Sequence, residues 1–202
     1  MTKEKNMNKG KLFITLGVIL ITMSLLMTFY NKYEDIKAGK ESKEILDVLK
    51  SESIPQDSII KPLANDNEIR EMKTISVNGE EYVGTITIPT LNIELPVMSE
   101  YSYTRLKKAP CRYYGNIYTN DLIICAHSYK THFGELNRLK QKDLIVFTDV
   151  DGNNFIYEVL EIEVLKPTDV DKMVNTEFDL TLYTCTSDNK GRITVRCNKV
   201  NI

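Results

Sequence analysis

The sequence lacks an excess of charge of either sign, since 26 basic residues stand against 28 acidic ones and leave a formal net charge of −2 over 202 residues. Such a balance produces no broad field that would attract nucleic acid or an anionic surface. Low-complexity tracts are also absent, and 42% of the residues are hydrophobic, which suffices for one core of ordinary size. The composition therefore predicts one folded domain with some appendage and no nucleic-acid partner.

Cysteine is scarce as well. Four cysteines are too few and too widely spaced for a disulfide scaffold, and no two form the Cys-x-x-Cys pair that suggests zinc binding or redox chemistry. Cys125 and Cys197 lie in apolar segments and are predicted to be small core residues. Cys111 follows a proline and is predicted to lie in a loop. Cys185 remains as the candidate for chemistry.

One long run is free of charge, residues 12–30 (LFITLGVILITMSLLMTFY). A helix that crosses a bilayer needs about 20 apolar residues, so this run predicts a transmembrane anchor. Four lysines and one glutamate precede it, which by the positive-inside rule predicts a cytoplasmic N-terminus at 1–11 and an extracellular remainder. A cleaved signal peptide is the alternative, but the run exceeds a typical h-region and no small-x-small cleavage site follows it.

Residues 31–80 are predicted to be a stalk or linker. Their first part, 33–51, is rich in lysine and glutamate with apolar residues at partly helical spacing, which suits a short helical stalk or a helix that lies on the domain. Residues 52–80 mix proline, asparagine, aspartate and serine without a clear period. We therefore place the start of the folded domain at residue 81 and its end at 202.

After residue 81 the sequence has short runs of valine, isoleucine, threonine and tyrosine, broken about every ten residues by turn formers. This spacing of short strands and turns is typical of a β-sandwich or β-barrel. Helical or turn-like segments are predicted at 101–108 and 133–139. The acidic alternation in 158–163 is interpreted as the solvated face of a strand, and no metal site or cofactor is predicted. The predicted strands are 82–88, 92–98, 121–126, 143–149, 154–166, 179–185 and 192–200.

Side chains alternate across a strand, so Cys185 points away from the core if the leucines of 179–185 point into it. The same parity puts Arg192 on the outer face of the next strand, and only six polar residues join the two. A hairpin therefore brings the thiol of Cys185 and the guanidinium of Arg192 together at its loop end. Arg196 shares that face but lies roughly 13 Å further along the strand, which makes it the weaker candidate.

A thiol nucleophile needs a cation or base nearby, because an ordinary cysteine is mostly protonated at neutral pH. The sequence has two histidines. His127 ends an apolar strand, where side chains reach a groove, whereas His132 lies in a polar turn. We therefore choose His127 as the partner. Tyr183 and Thr184, beside the nucleophile, are predicted to contact substrate.

These residues, taken in order, resemble the sortases, the cysteine transpeptidases that fix proteins to the surface of Gram-positive bacteria. Residues 181–185 (TLYTC) resemble the signature of the nucleophile, 124–127 (ICAH) the strand that ends in the catalytic histidine, and 191–195 (GRITV) the strand that begins with the catalytic arginine. Segments 133–136 (FGEL) and 166–170 (KPTDV) are also similar to sortase segments.

The resemblance implies a mostly β fold, a closed barrel of about eight strands with short helices. It implies that Cys185 cleaves a Leu-Pro-x-Thr-Gly-like sorting signal through a thioester, with His127 and Arg192 as the other catalytic residues and no cofactor. The implied partners are surface proteins that bear the signal and an amine of the cell wall or of a pilin. Sortases usually have glycine where this chain has Ala126, and the connection before residue 179 is too short for the helical insertion of class B enzymes.

Other functions stay open from the sequence alone. An L,D-transpeptidase or another exported cysteine hydrolase would also use a histidine and a cysteine, although the Ser-x-Gly-Cys-x-Arg pattern of the former is missing. A non-catalytic anchored binding module with a structural cysteine is another reading. The last is a zinc site, whose Cys-x-His spacing would be poor for tetrahedral coordination. Its ligands would be Cys125, His127, Cys185 and Cys197.

Overall fold

A single helix, α1 (Lys9–Glu52), begins the part of the chain that the computed structural model describes, which comprises residues 9–52, 71–175 and 177–200. The chain divides into two compact units, Met1–Lys37 and Ala38–Ile202, and the boundary falls within this helix. The sequence predicts only a short helix in the stalk. The structure extends it without interruption from the apolar run, and no proline intervenes.

In the first unit, the apolar side chains of residues 12–30 are exposed and the helix is long and apolar enough to cross a membrane. The hydroxyl of Thr15 donates to the carbonyl of Lys11 at 2.9 Å, and that of Thr28 donates to the carbonyl of Ser24 at 2.9 Å. These polar groups are therefore satisfied within the helix, as a hydrocarbon environment requires. The direction of crossing stays a prediction.

The second unit begins at Ala38, well before the predicted domain boundary at residue 81. The end of α1 belongs to this unit because one face of the helix is buried against it. Ile45 and Leu49 on that face join a hydrophobic cluster with Tyr82 and Met98. The spacing of the buried helical positions 38, 42, 45 and 49 is that of one helix face. What the sequence indicates as stalk is therefore partly core.

Nine strands occur in the described part of the second unit, in the order β1-β2-β3-β4-β5-β8-β9-β7-β6. An antiparallel pairing of β2 with β6 closes the sheet, so that the eight strands β2 to β9 form a barrel and β1 lies at its edge. The predicted fold class is confirmed. The strands are β1 (Ile75–Val77), β2 (Glu80–Ile88), β3 (Ile93–Met98), β4 (Cys111–Tyr114), β5 (Leu122–Cys125), β6 (Leu144–Asp149), β7 (Asn154–Leu165), β8 (Leu180–Cys185) and β9 (Arg192–Lys199).

Short helices decorate the barrel. They are α2 (Tyr103–Leu106), α3 (Val170–Val174) and two single 3₁₀ turns, Pro89–Leu91 and Leu136–Arg138. The helical or turn-like segments predicted at 101–108 and 133–139 thus correspond to α2 and the second 3₁₀ turn. The connection between β7 and β8 holds α3, a single turn of helix.

Two strands are not predicted from the sequence, β1 and β4. Both are short, and β4 is a strand because it pairs with β5 and touches β3 through a single parallel bridge. Cys111 was predicted to lie in a loop and this is wrong, because it is the buried first residue of β4, directly opposite Cys125. The reason is long-range pairing, which leaves no local signal in four residues.

The seam that closes the barrel depends on Gly84. Its backbone has φ of +149°, and a Cβ atom there would lie 2.1 Å from the carbonyl oxygen of Thr148 on β6. Only glycine permits so close an approach of β2 to β6. The interior is then filled by apolar side chains, among them Ile86, Val97, Leu122, Ile124, Phe147, Leu182 and Val195.

Candidate active site

The β8–β9 hairpin positions the predicted nucleophile. Cys185, the last residue of β8, lies directly opposite Arg192, the first residue of β9. Side chains in such a position share a face, with Cβ atoms about 4.5–5.5 Å apart. Both residues are half-buried, whereas Leu180 and Leu182 of β8 are fully buried in the core. Strand parity predicts that Cys185 and Arg192 share the outer face, and the structure has this arrangement.

The loop that joins the two strands, 186–191, is short and internally bonded. The backbone NH of Thr186 donates to the carbonyl of Gly191 at 3.0 Å, and the NH of Gly191 donates to Oγ1 of Thr186 at 2.9 Å. Hydrogen bonds from Thr186 and from the NH of Lys190 lower the pKa of Asp188. The loop therefore fixes the distance between the ends of the two strands.

His127 follows β5, which runs parallel to β8 with Cys125 opposite Tyr183. Two further hydrogen bonds extend the match: the NH of Ala126 donates to the carbonyl of Tyr183 at 3.2 Å, and the hydroxyl of Thr184 donates to the carbonyl of Ala126 at 2.9 Å. This register brings His127 level with the next β8 position along, Cys185. The strand order β5-β8-β9 then puts the cysteine between the histidine and the arginine.

Thr184 is buried, and its hydroxyl adds a side-chain hydrogen bond between the strand that carries the cysteine and the segment that precedes the histidine. Its predicted contact with substrate stays a prediction. Ala126, where sortases usually have glycine, is buried at 2% exposure. The Ala126 methyl group is thus packed in the main core.

After His127 the chain folds back in a tight turn. The NH of Phe133 donates to the carbonyl of His127 at 3.4 Å, and the NH of Gly134 donates to the carbonyl of Tyr129 at 2.8 Å. A Cβ atom on Gly134 would lie 2.6 Å from the carbonyl oxygen of Ser128. Phe133 is buried in the main core. The FGEL segment therefore has a physical reason: the phenylalanine anchors the turn and the glycine lets it close.

His132, which the sequence places in a polar turn, is in the turn but fully buried. Its Nε2 lies 3.1 Å from Oγ of Ser42, on the part of α1 that belongs to this unit. No sequence signal could have found this contact, because the two residues are 90 positions apart. The choice of His127 over His132 as the residue at the strand end agrees with this placement.

Arg196 lies on the same face of β9 as Arg192 but is 2% exposed, not solvated. Its Nε donates to Glu163 at 2.9 Å and its Nη1 to the hydroxyl of Thr181 at 3.0 Å. Its Nη2 donates to the carbonyl of Lys172 in α3 at 2.6 Å. The sequence misses this burial because α3 covers the guanidinium. Arg196 thus ties α3 to the sheet.

An open cavity of about 220 Å³ lies beside the Cys185–Arg192 end of the hairpin. Arg192 and three tyrosines line one side, and residues of the segment 166–173 line the other. The Tyr113 ring packs edge to face against Tyr101, at 5.6 Å between centroids, and against Tyr183, at 5.4 Å. Burial raises the pKa of Tyr101 and of Tyr183, so both hydroxyls stay neutral at physiological pH.

The predicted place of Tyr183 in a groove agrees with this lining, whereas Tyr101 and Tyr113 are not found from the sequence. One lies before α2 and the other in the unpredicted strand β4. Their only signal is the richness of 101–114 in tyrosine, which does not by itself indicate a groove.

The other three cysteines are buried. Burial raises the pKa of Cys111 to about 12 and also raises the pKa of Cys125 and of Cys197. Cys197 belongs to the main core, opposite Leu180, on the other face of the sheet from Cys185. The four-residue zinc site considered above is therefore wrong. Within the ranges 9–52, 71–175 and 177–200, no group of three or more metal-ligating side chains occurs.

A closed eight-stranded barrel holds Cys185 and Arg192 at the facing ends of two paired strands and His127 just after the adjacent strand, an arrangement that suits a cysteine transpeptidase. Comparison with known proteins agrees. A family model described as the sortase domain matches residues 86–200, which are more than half of the chain. The chain belongs to the sortase family.

Individual relatives are similar at lower identity. Sortase A of Bacillus anthracis is 22% identical over 200 residues, which cover 94% of this chain and 95% of that protein. The structure of sortase A from Corynebacterium diphtheriae matches with a TM-score of 0.53 and 27% identity over 61% of this chain and 62% of that one. Sortase C1 from Streptococcus suis matches with a TM-score of 0.52 and 26% identity, over 60% of this chain and 74% of that one.

Proposed function

We propose that this sortase is a membrane-anchored enzyme that cleaves a Leu-Pro-x-Thr-Gly-like sorting signal and joins the signal's threonine to an amine of the cell wall or of a pilin. The observation that carries the proposal is the position of Cys185. It is the one cysteine of the four that is not buried, it lies opposite Arg192, and the β5–β8 register brings it level with His127.

In the first half of the reaction, the thiolate of Cys185 attacks the carbonyl carbon of the signal's threonine. The resulting oxyanion accepts hydrogen bonds from Arg192, whose fork of donors is held at the start of β9. The imidazolium of His127 gives its proton to the leaving glycine nitrogen as the carbon–nitrogen bond breaks. A thioester between Cys185 and the threonine remains.

In the second half, the neutral imidazole of His127 takes a proton from the incoming amine. The amine nitrogen attacks the thioester carbonyl, and collapse of the second tetrahedral intermediate restores the cysteine thiolate. Atoms and charges balance without a cofactor, because the thiol supplies the nucleophile and the imidazole returns each proton.

The tyrosine-lined cavity is the binding site that we assign to the signal residues before the scissile bond. It is lined by Arg192 and also by Lys166 and Asp169. Its apolar part, formed by Tyr183, Val170 and Met173, suits a leucine and a proline. Tyr183 and Thr184 are the two β8 residues that we assign to substrate contact. The lysine-rich N-terminus supports an orientation with the barrel outside the cell.

The test compares wild-type full-length protein in detergent with its Cys185→Ala variant, using a fluorogenic peptide that contains the sorting signal. We expect turnover by the wild type and none above background by the variant, since removing the nucleophile abolishes the covalent route. Circular dichroism of both proteins controls for folding. Equal turnover by the two proteins would refute the proposal.

A further inference from the structure

A chain of contacts leads from the end of α1 to His127. Ser42 of α1 is 1% exposed, and its hydroxyl donates to the carbonyl of Lys108 at 2.7 Å. The same oxygen lies 3.1 Å from Nε2 of His132. Because the single hydroxyl proton goes to Lys108, Nε2 of His132 must carry a hydrogen and donate it to Ser42. The bond therefore sets both the tautomer and the orientation of the buried ring.

Tyr129 lies between the two histidines. Its ring stacks on His127 with centroids 4.1 Å apart and planes inclined by 13°, and it meets His132 edge to face at 5.6 Å and 61°. A ring stacked in this way opposes rotation of the imidazole out of its plane. His132, held by Ser42, in turn supports the far side of Tyr129.

The approach of α1 to this turn is close. A Cβ atom on Gly39 would lie 2.7 Å from Cγ2 of Thr131, in the same turn that carries Tyr129 and His132. Gly39 and Ser42, one helical turn apart, thus face one surface of the turn. At Gly39 the backbone of the helix therefore packs directly against the Thr131 side chain of this turn.

We propose that the segment of α1 from Ala38 to Glu52 is part of the active site, and that Ser42, His132 and Tyr129 are positioning residues for His127. The inference rests on the proposed function, since it needs His127 to transfer the proton. A histidine that must serve both Cys185 and the leaving nitrogen works only in a narrow range of orientations, and misplacement by 1 Å can cost about a hundredfold in rate.

The test uses full-length protein in detergent and measures kcat and KM for the sorting peptide, normalised to active sites titrated with a thiol reagent. Tyr129→Leu removes the ring but keeps much of the volume, and we expect kcat to fall about 10- to 100-fold with KM nearly unchanged. Tyr129→Phe keeps the ring and should restore most of kcat. Ser42→Ala should lower kcat about 5- to 10-fold, on the scale of one lost buried hydrogen bond.

Ser51→Ala is the matched control, because Ser51 is an exposed serine on the same helix whose hydroxyl donates to the carbonyl of Val48. It should leave kcat unchanged. A purely structural role would lower the number of titratable sites but not kcat per site, so normal kcat per site in both Tyr129→Leu and Ser42→Ala would overturn the inference. Turnover by Cys185→Ala at the wild-type rate would instead overturn the proposed function, and this inference with it.

Discussion

The two ends of the β8–β9 ladder carry the same residue types in opposite circumstances. At the loop end, Cys185 and Arg192 are half-buried beside an open cavity. At the other end, Cys197 lies in the main core and Arg196 is covered by α3 and bonded to Glu163. Residue type alone therefore does not distinguish the reactive end from the structural end.

The difference lies in what covers each end. Helix α3 supplies the backbone carbonyls of Lys172 and Met173 to Arg196, which is consequently committed to fixed partners. The polar loop 186–191 folds on itself by internal hydrogen bonds and leaves the Cys185–Arg192 face open. An arginine already committed to fixed partners is not available to a developing oxyanion, so only the loop end can serve chemistry.

The largest contrast should appear in the reactivity of the thiols. A thiol with a pKa of about 12, such as that of Cys111, is ionised to about one part in ten thousand at pH 8, and burial raises the pKa of Cys197 as well. The thiolate is the reactive form, so iodoacetamide should modify Cys185 far faster than the other three cysteines.

Intact-mass spectrometry of native protein at pH 8 should therefore find one adduct, none in Cys185→Ala, and four in denaturant. At pH 9 the other three cysteines should still be unmodified, because burial raises their pKa values well above that pH. Comparable modification of Cys197 in the native protein would erase the contrast between the two ends.

The second contrast concerns the two arginines and catalysis. Arg192→Ala removes the proposed oxyanion donor, and we expect kcat to fall about 10²- to 10³-fold, roughly 3–4 kcal/mol, with a thermal midpoint close to that of the wild type. Arg192→Lys keeps the charge but not the fork of donors and should recover only part of the loss. Stopped assays with the sorting peptide, together with thermal denaturation, give both quantities.

The matched control is Arg138→Ala, an exposed arginine whose partner is the neighbouring Glu135. It should leave both kcat and the thermal midpoint near the wild-type values, since exposed ion pairs contribute little. A kcat for Arg192→Ala within threefold of the wild type would remove the arginine from the proposed mechanism.

The smallest effect on kcat is expected from substitution of Arg196, at the end of the ladder away from the loop. Arg196→Met leaves the carbonyls of α3 and the hydroxyl of Thr181 without their donor, and should lower the free energy of unfolding by about 2–3 kcal/mol. The cost falls below that of a fully buried pair because the side chain of Glu163 is 32% exposed and can be hydrated. Because α3 lines the cavity, KM should rise while kcat is largely kept.

Urea denaturation measures the stability of this variant, and Glu163→Gln is its control, with an expected loss of about 1 kcal/mol or less. Loss of kcat in Arg196→Met without loss of stability would contradict the assignment of Arg196 to structure and of Arg192 to catalysis.

Much of this comparison could be predicted from the sequence, because strand parity is a local property. The period of two in β8 and β9 and the six-residue loop were enough to place Cys185 opposite Arg192. The length and apolar character of 12–30 predicted a helix. The spacing of short strands and turns indicated a sandwich or barrel. Three motifs in order indicated the family.

What could not be predicted depends on contacts between distant segments. Strand β4 exists only through its neighbours, so Cys111 was misplaced. The burial of Arg196 needs α3, and the burial of His132 needs Ser42, 90 residues earlier. The start of the second unit at Ala38 could not be predicted for the same reason, since the partly helical spacing of 33–51 suits a stalk as well as a helix that lies on the domain.

The most direct test of the central claim is to trap the thioester. Full-length protein mixed with sorting peptide in the absence of an acceptor amine should gain, by intact mass, the peptide fragment that ends at threonine. Proteolytic mapping should place the adduct on Cys185, and hydroxylamine should release it. Cleavage of the peptide with no adduct on Cys185, together with wild-type turnover by Cys185→Ala, would contradict the account.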